Sequence, residues 1–149
     1  MDYDLERRYF VEKLLDYVRG LEEQTSEIHL ADENRVLFRV EGRPFEALAW
    51  INKDSDMICL TTRTDDLPVE QFEEAVKFLQ ANLETSWEYC VAVSSVEQRY
   101  DLSMALFVGG FTFEAFEAAV HNLLSCAEAI ETNHAKKSGG AEGSLPTSA

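Results

Sequence analysis

The fold is decided by residues 87–130, which read WEYCVAVSSVEQRYDLSMALFVGGFTFEAFEAAVHNLLSCAEAI. Large apolar side chains fall on every second residue over 87–93 and again over 102–108, which is the period of a strand with one buried face. The polar link between them, residues 95–100, predicts a solvated turn. Two neighbouring strands joined in this way are expected to form an antiparallel pair.

A long helix is predicted directly after this strand pair. Gly109 and Gly110 let the backbone leave the sheet, and Thr112 is suited to cap the N-terminus of a helix. Phe111 before the cap and Phe116 in the first turn fit a hydrophobic staple, which fixes how the chain enters the helix. Apolar residues then recur at spacings of three and four as far as residue 130, so the helix is predicted to lie on the sheet.

The rest of the chain predicts two more helices and three more strands. Apolar spacing indicates a helix over residues 5–21, whose apolar stripe includes Leu5, Tyr9, Leu14 and Val18, and a second helix over residues 65–83. It indicates strands over residues 36–40, 45–51 and 57–62. Residues 28–30 could add a short piece of edge strand. The predicted order is α-β-β-β-α-β-β-α, an α+β fold with an antiparallel five-stranded sheet.

The C-terminal residues differ in composition from the rest. From Lys136 onward the chain consists mainly of Gly, Ser, Thr, Pro and Ala, which cannot bury enough apolar surface to fix a structure. We therefore predict a single α+β domain over residues 1–135 and a flexible tail over residues 136–149. A length of 149 residues suits one domain of this kind.

Charge and hydropathy exclude several classes of partner. The net charge of -15 argues against nucleic acid, because phosphate binding needs clustered Lys and Arg. Basic partners or basic segments fit better. Residues 1–20 contain several acidic side chains, unlike a signal peptide, and no apolar run approaches the roughly 20 residues that span a bilayer. The sequence therefore predicts a cytoplasmic protein without membrane insertion.

A search for catalytic or metal-binding patterns gives negative results. The three histidines are isolated from one another, and Cys59, Cys90 and Cys126 are widely spaced, which favours reduced core thiols over a zinc site. The Gly109-Gly110 pair lacks the third glycine and the Lys-Ser or Lys-Thr of phosphate-binding loops. We expect no enzyme, no metal and no cofactor.

The sequence contains more apolar surface than one sheet face needs. If helices cover one face, the opposite face or its rim would carry the following side chains: Leu37, Leu48, Trp50, Phe107 and either Ile58 or Met57. A large exposed apolar patch usually marks an interface. Alternatively, a helix or the tail covers this patch.

These features together resemble a known family. The element order, the acidic character, the Asp66-Leu67-Pro68 helix entry and residues 106–116 (LFVGGFTFEAF) resemble the YbjN family of bacterial proteins, often labelled sensory transduction regulators. The arrangement is also similar to the class I type III secretion chaperones, small acidic dimers that share this fold. The resemblance covers about residues 3–130.

The resemblance implies a non-enzymatic, chaperone-like or regulatory domain that binds a protein partner and forms a homodimer. Secretion chaperones hold an extended segment of a secreted protein in apolar grooves, and such a chaperone is one alternative; a small-molecule sensor is another. The candidate dimer contacts are Phe72, Val76 and Leu79, and the candidate partner-binding residues are Leu48, Trp50 and Phe107. Either set could instead belong to the core.

Overall fold

The computed structural model describes residues 2–65, 92–96 and 99–143. Its elements, in chain order, are α1 (Tyr3–Arg19), β1 (Thr25–Asp32), β2 (Arg35–Val40), β3 (Arg43–Asn52), β4 (Ser55–Arg63), β5 (Ala92–Val96), β6 (Arg99–Phe107), a short 3-10 helix (Val108–Gly110) and α2 (Phe113–Gly143). The helix predicted over 65–83 lies outside the described residues, apart from its first residue. The α+β class is confirmed.

The described strands form one antiparallel sheet in the order β1-β2-β3-β4-β6-β5. The sheet contains the five predicted strands and a sixth, β1, at its edge. The short edge piece expected at residues 28–30 is part of the eight-residue strand β1. The period of two is lost there because the pairing with β2 shifts between Ser26 and His29, where Glu27 has a φ of 52°, as at a β-bulge.

Two hairpins show how the turns set the strand register. Between β2 and β3, Val40 pairs with Arg43, and both intervening residues have positive φ, 51° at Glu41 and 84° at Gly42. This is the two-residue turn that suits the twist of a hairpin. Between β5 and β6, Val96 pairs with Arg99. The strands therefore extend into the link that was predicted as a solvated turn over 95–100, and Tyr100 within it is buried in the core.

The core lies between the two helices and one face of the sheet. The buried side chains of the helices are Val11, Leu14 and Val18 from α1 and Phe116, Ala119, Val120, Leu123, Leu124, Ala127 and Ile130 from α2. From the strands they include Val36, Phe38, Val40, Phe45, Ala47, Ala49, Ile51, Ile58, Leu60, Tyr100, Leu102 and Met104. Burying each large apolar side chain contributes about 1.5 to 3 kcal/mol before entropy costs, so this face holds the domain together.

The start of α2 matches the prediction in detail. The Oγ1 atom of Thr112 accepts a hydrogen bond from the amide of Ala115 at 3.1 Å, as an N-cap does. The rings of Phe111 and Phe116 meet edge to face with centroids 6.3 Å apart, which confirms the staple.

One expectation about the helices is wrong. The apolar stripe predicted for α1 included Leu5 and Tyr9, yet these side chains are exposed. At about 100° per residue they lie on the opposite side of the helix from Leu14 and Val18.

Helix α2 runs on to Gly143, past residue 135, after which the tail was predicted to begin. Extending an existing helix fixes one residue per hydrogen bond gained, and residues 135–137 are good helix formers. The division into domain and tail stays a prediction.

Candidate functional site

One face of the sheet is left uncovered by α1 and α2, and we call it the open face. Side chains alternate along each strand, so Ala49 and Ile58 point into the core while Leu48, Trp50 and Met57 point to the open face. The alternation decides between the two candidates at 57 and 58. Ile58 is fully buried, so its placement on the open face is wrong and Met57 takes that position.

The strand register brings apolar residues from three strands into one row. Trp50 pairs with Met57, and Met57 pairs with Phe107. Adjacent strands lie about 4.8 Å apart, so this row is roughly 10 Å long. Leu48 lies in the next row on the same face, where it pairs with Cys59. We call Leu48, Trp50, Met57 and Phe107 the apolar patch.

The outer members of the apolar patch are strongly exposed. Trp50 is 49% exposed and Phe107 is 66% exposed, whereas Leu48 and Met57 are partly buried. The structure thus brings together the three residues predicted to bind a partner, and their role in binding stays a prediction. Leu37 is also on this face but pairs with Glu46, outside the patch. The predicted dimer contacts Phe72, Val76 and Leu79 lie outside the described residues.

The opposite end of the sheet carries charge instead of apolar surface. Two cavities of about 550 and 360 Å³ lie there, near the turn between β2 and β3. Four of the eight arginines of the chain line the larger one: Arg39, Arg43, Arg63 and Arg99. Sequence reasoning missed this site because Arg63 and Arg99 are far in the chain from Arg39 and Arg43, and only the strand order brings them together.

The best-buried ion pair at this end joins the sheet to α2. The guanidinium of Arg43 donates to both carboxylate oxygens of Glu131, at 2.6 and 2.9 Å, and also to the carbonyl oxygen of Arg63 at 2.9 Å. The Glu131 carboxylate also accepts a hydrogen bond from the amide of Asp65 at 2.7 Å. Burial alone would raise the pKa of Glu131, but these hydrogen bonds outweigh it and lower that pKa. The pair is therefore a structural link.

The described residues offer little for catalysis. Burial raises the pKa of the Cys59 and Cys126 thiols, so neither is a thiolate nucleophile at neutral pH. No group of three His, Cys, Asp or Glu side chains in the described ranges is placed to hold a metal ion. His121 contacts Glu23 and thereby ties α2 to the loop after α1. Among the described helices, none combines the length and the hydropathy needed to cross a bilayer.

A known protein family matches most of the chain. The sequence model of the Tir chaperone protein (CesT) family matches residues 20–131. This range runs from the end of α1 through the whole sheet to the middle of α2, and it includes both the apolar patch and the arginine-lined cavity. No curated protein matches the sequence significantly.

Two solved structures resemble the chain at low sequence identity. One is a crystal structure of a protein from Methanothermobacter thermautotrophicus, with 16% identity and a TM-score of 0.59 over 88% of this chain and 98% of that one. The other is a chain of the crystal structure of the ExsC-ExsE complex, with 16% identity and a TM-score of 0.45 over 78% of this chain and 90% of that one. At such identity the likeness of the first concerns the fold alone. With the family match, it confirms the predicted chaperone-like α+β fold.

Proposed function

The chain belongs to the Tir chaperone protein (CesT) family, and from this premise we propose that it holds an extended segment of another protein on its open face. The observation that supports this proposal is the row formed by Trp50, Met57 and Phe107 across three strands, with both ends of the row exposed. Large apolar side chains that are grouped in this way usually mark an interface.

The dimensions of the apolar patch suit a segment of chain better than a folded domain. A row of roughly 10 Å with a second row beside it accommodates a few side chains, whereas stable contacts between two folded proteins bury about 800 Å² on each partner. An extended segment lets its alternate side chains reach such a surface while its remaining residues stay in water. A segment that does not fold by itself would also need a binding protein that shields it until it reaches its site of action.

Several finer features belong to the same proposal. We propose a cytoplasmic, non-enzymatic homodimer, whose dimer contact includes Phe72, Val76 and Leu79. Two roles fit this description, a YbjN-type regulator and a class I type III secretion chaperone. The chaperone role requires a dimer and a secreted partner. A strictly monomeric species in light scattering at micromolar concentration would therefore exclude the chaperone role and leave the regulator role.

The test is partner capture with matched surface variants. The tagged wild-type chain, Trp50→Ser and Leu5→Ser are each incubated with lysate of the native cells, and the bound proteins are identified. Leu5 is 61% exposed on α1, away from the open face, so its variant controls for the loss of any exposed apolar side chain. We expect a partner that binds the wild type and Leu5→Ser but is lost from Trp50→Ser.

Protease treatment of the captured complex then tests the extended conformation. A partner segment held on the open face should remain as a short protected fragment while the rest of the partner is digested. Capture of no protein beyond background would contradict the proposal, and so would a partner that binds Trp50→Ser as well as it binds the wild type.

A further inference from the structure

The charged end of the open face contains a groove of about 360 Å³ that reaches from β1 across β2 and β4 to β6. Three carboxylates and three arginines line it, together with uncharged residues: Glu27, Glu46, Asp101, Arg39, Arg63 and Arg99. Because the chain as a whole has a net charge of -15, this even balance is a local departure from an acidic surface.

Each of the three carboxylates is already neutralised by an arginine. The pairs are Glu27 with Arg39 at 2.5 Å, Glu46 with Arg35 at 3.2 Å and Asp101 with Arg99 at 3.2 Å. Arg63 is exposed and forms no ion pair with any residue of the described ranges. On its other side the larger cavity is bordered by Asp65 and Glu128, next to the Arg43–Glu131 pair. Within the part of the chain that the structure describes, Arg63 is thus the cation of this groove whose side chain has no acidic partner.

From this geometry we infer that Arg63 binds a carboxylate of the segment held on the open face, in the form of an acidic side chain. This inference rests on the proposed function. Arg63 and Met57 lie on the same side of β4, six residues apart, and a strand rises about 3.3 Å per residue. The cation and the apolar patch are therefore separated by roughly 20 Å. An extended segment that lies along β4 would contact both the apolar patch and Arg63 if it carried an apolar residue and an acidic residue about six positions apart.

The overall charge of the protein makes the preference of Arg63 for an acidic residue measurable. A protein of net charge -15 repels an added carboxylate at most points of its surface. An acidic residue should therefore weaken binding at most spacings from the apolar anchor and strengthen it only where it reaches Arg63. An exposed ion pair of this kind changes the affinity by up to about fivefold.

The probe is an array of synthetic peptides on a Ser/Thr/Gln background. Each peptide carries one Phe and one Glu at a systematically varied spacing, and each has a matched peptide with Gln in place of Glu. The full-length wild type, Arg63→Gln, Arg8→Gln and Trp50→Ser are tested at low salt. Arg8 is an exposed arginine on α1, so Arg8→Gln removes the same charge elsewhere, and thermal melting confirms that each variant is folded.

We expect the Glu peptide to bind up to about fivefold better than its Gln match at a spacing near six. This preference should vanish in Arg63→Gln and persist in Arg8→Gln. Binding that depends on Trp50 but shows no preference for Glu at any spacing would overturn the role of Arg63 and leave the proposed function standing. A preference that survives in Arg63→Gln would overturn it as well. If no peptide binds in a Trp50-dependent manner, the proposed function fails and the inference fails with it.

Discussion

Phe107 and Phe116 form a matched pair that distinguishes the apolar patch from the core. Both are phenylalanines, but Phe107 on the open face is 66% exposed, whereas Phe116 in α2 is fully buried. The same substitution at both positions, Phe107→Ala and Phe116→Ala, therefore removes the same atoms from two different environments. The structure predicts that Phe107→Ala mainly weakens partner binding and that Phe116→Ala mainly lowers stability.

The size of each effect follows from the exposed fraction. Removing a fully buried Phe costs about 3 to 5 kcal/mol of unfolding free energy. Since about one third of Phe107 is buried, its loss should cost about 1 to 1.7 kcal/mol. For binding, the exposed two thirds correspond to roughly 100 Å² of a side chain that can bury about 150 Å² or more. At about 25 cal/mol per Å² this gives an upper limit near 2.5 kcal/mol, or somewhat under a hundredfold in Kd.

Urea denaturation gives the stability difference, and titration with the captured partner gives the affinity. We expect Phe107→Ala to shift the denaturation midpoint slightly at an unchanged slope and to lower the affinity for the partner strongly. Phe116→Ala should shift the midpoint several times further. If Phe107→Ala lost as much stability as Phe116→Ala, Phe107 would belong to the core. If a folded Phe107→Ala kept full affinity for the partner, the apolar patch would not be the binding surface.

Three further substitutions test the fold and the assembly. Glu131→Gln should lower the free energy of unfolding at neutral pH by about 1 to 3 kcal/mol, because it breaks the charge-assisted bonds to Arg43. The pKa of Glu131 in the folded protein lies below its ordinary value of 4.5, so this contribution is lost as the pH falls. The urea midpoints of the variant and the wild type should therefore converge in acid. Thr112→Ala should cost about 0.5 to 2 kcal/mol in the same assay through loss of the N-cap of α2. Val76→Asp should raise the monomer fraction in light scattering. Lys77→Asp, which changes a charged residue of the same predicted helix, should not, and equal behaviour of the two variants would contradict a dimer contact at this helix.

The sequence predicted the covered face better than the edges of the sheet. Alternation over residues 36–40 and 45–51 identified the buried side chains because each of these strands has one face on the core. At β1 the same reasoning was insufficient, since an edge strand with mostly exposed side chains has no apolar period to detect. The exposure of Leu5 and Tyr9 was missed for a different reason, because they were grouped with the core residues of α1 although, at about 100° per residue, they lie on the opposite side of the helix from Leu14 and Val18.

The two ends of the open face differed in how far the sequence could reveal them. The apolar patch could be predicted because Leu48, Trp50 and Phe107 occupy the positions that alternate with core residues, and the period of two assigns them to a common face. The charged groove could not, because Arg63 and Arg99 are brought together only when β4 pairs with β6. Local patterns carry no information on that pairing, which skips β5.

The division of the sheet into a covered and an open face separates folding from recognition. The fully buried side chains face the two helices, so the folding free energy depends little on what occupies the open face. Contacts at the apolar patch are not directional and cannot by themselves distinguish one apolar segment from another. If the open face binds a segment as proposed, selection would come from charge, because a surface of net charge -15 disfavours acidic segments except where Arg63 can receive a carboxylate. On the proposed function, the patch would supply affinity and the groove around Arg63 would set which segment fits, and either one could change without disturbing the core.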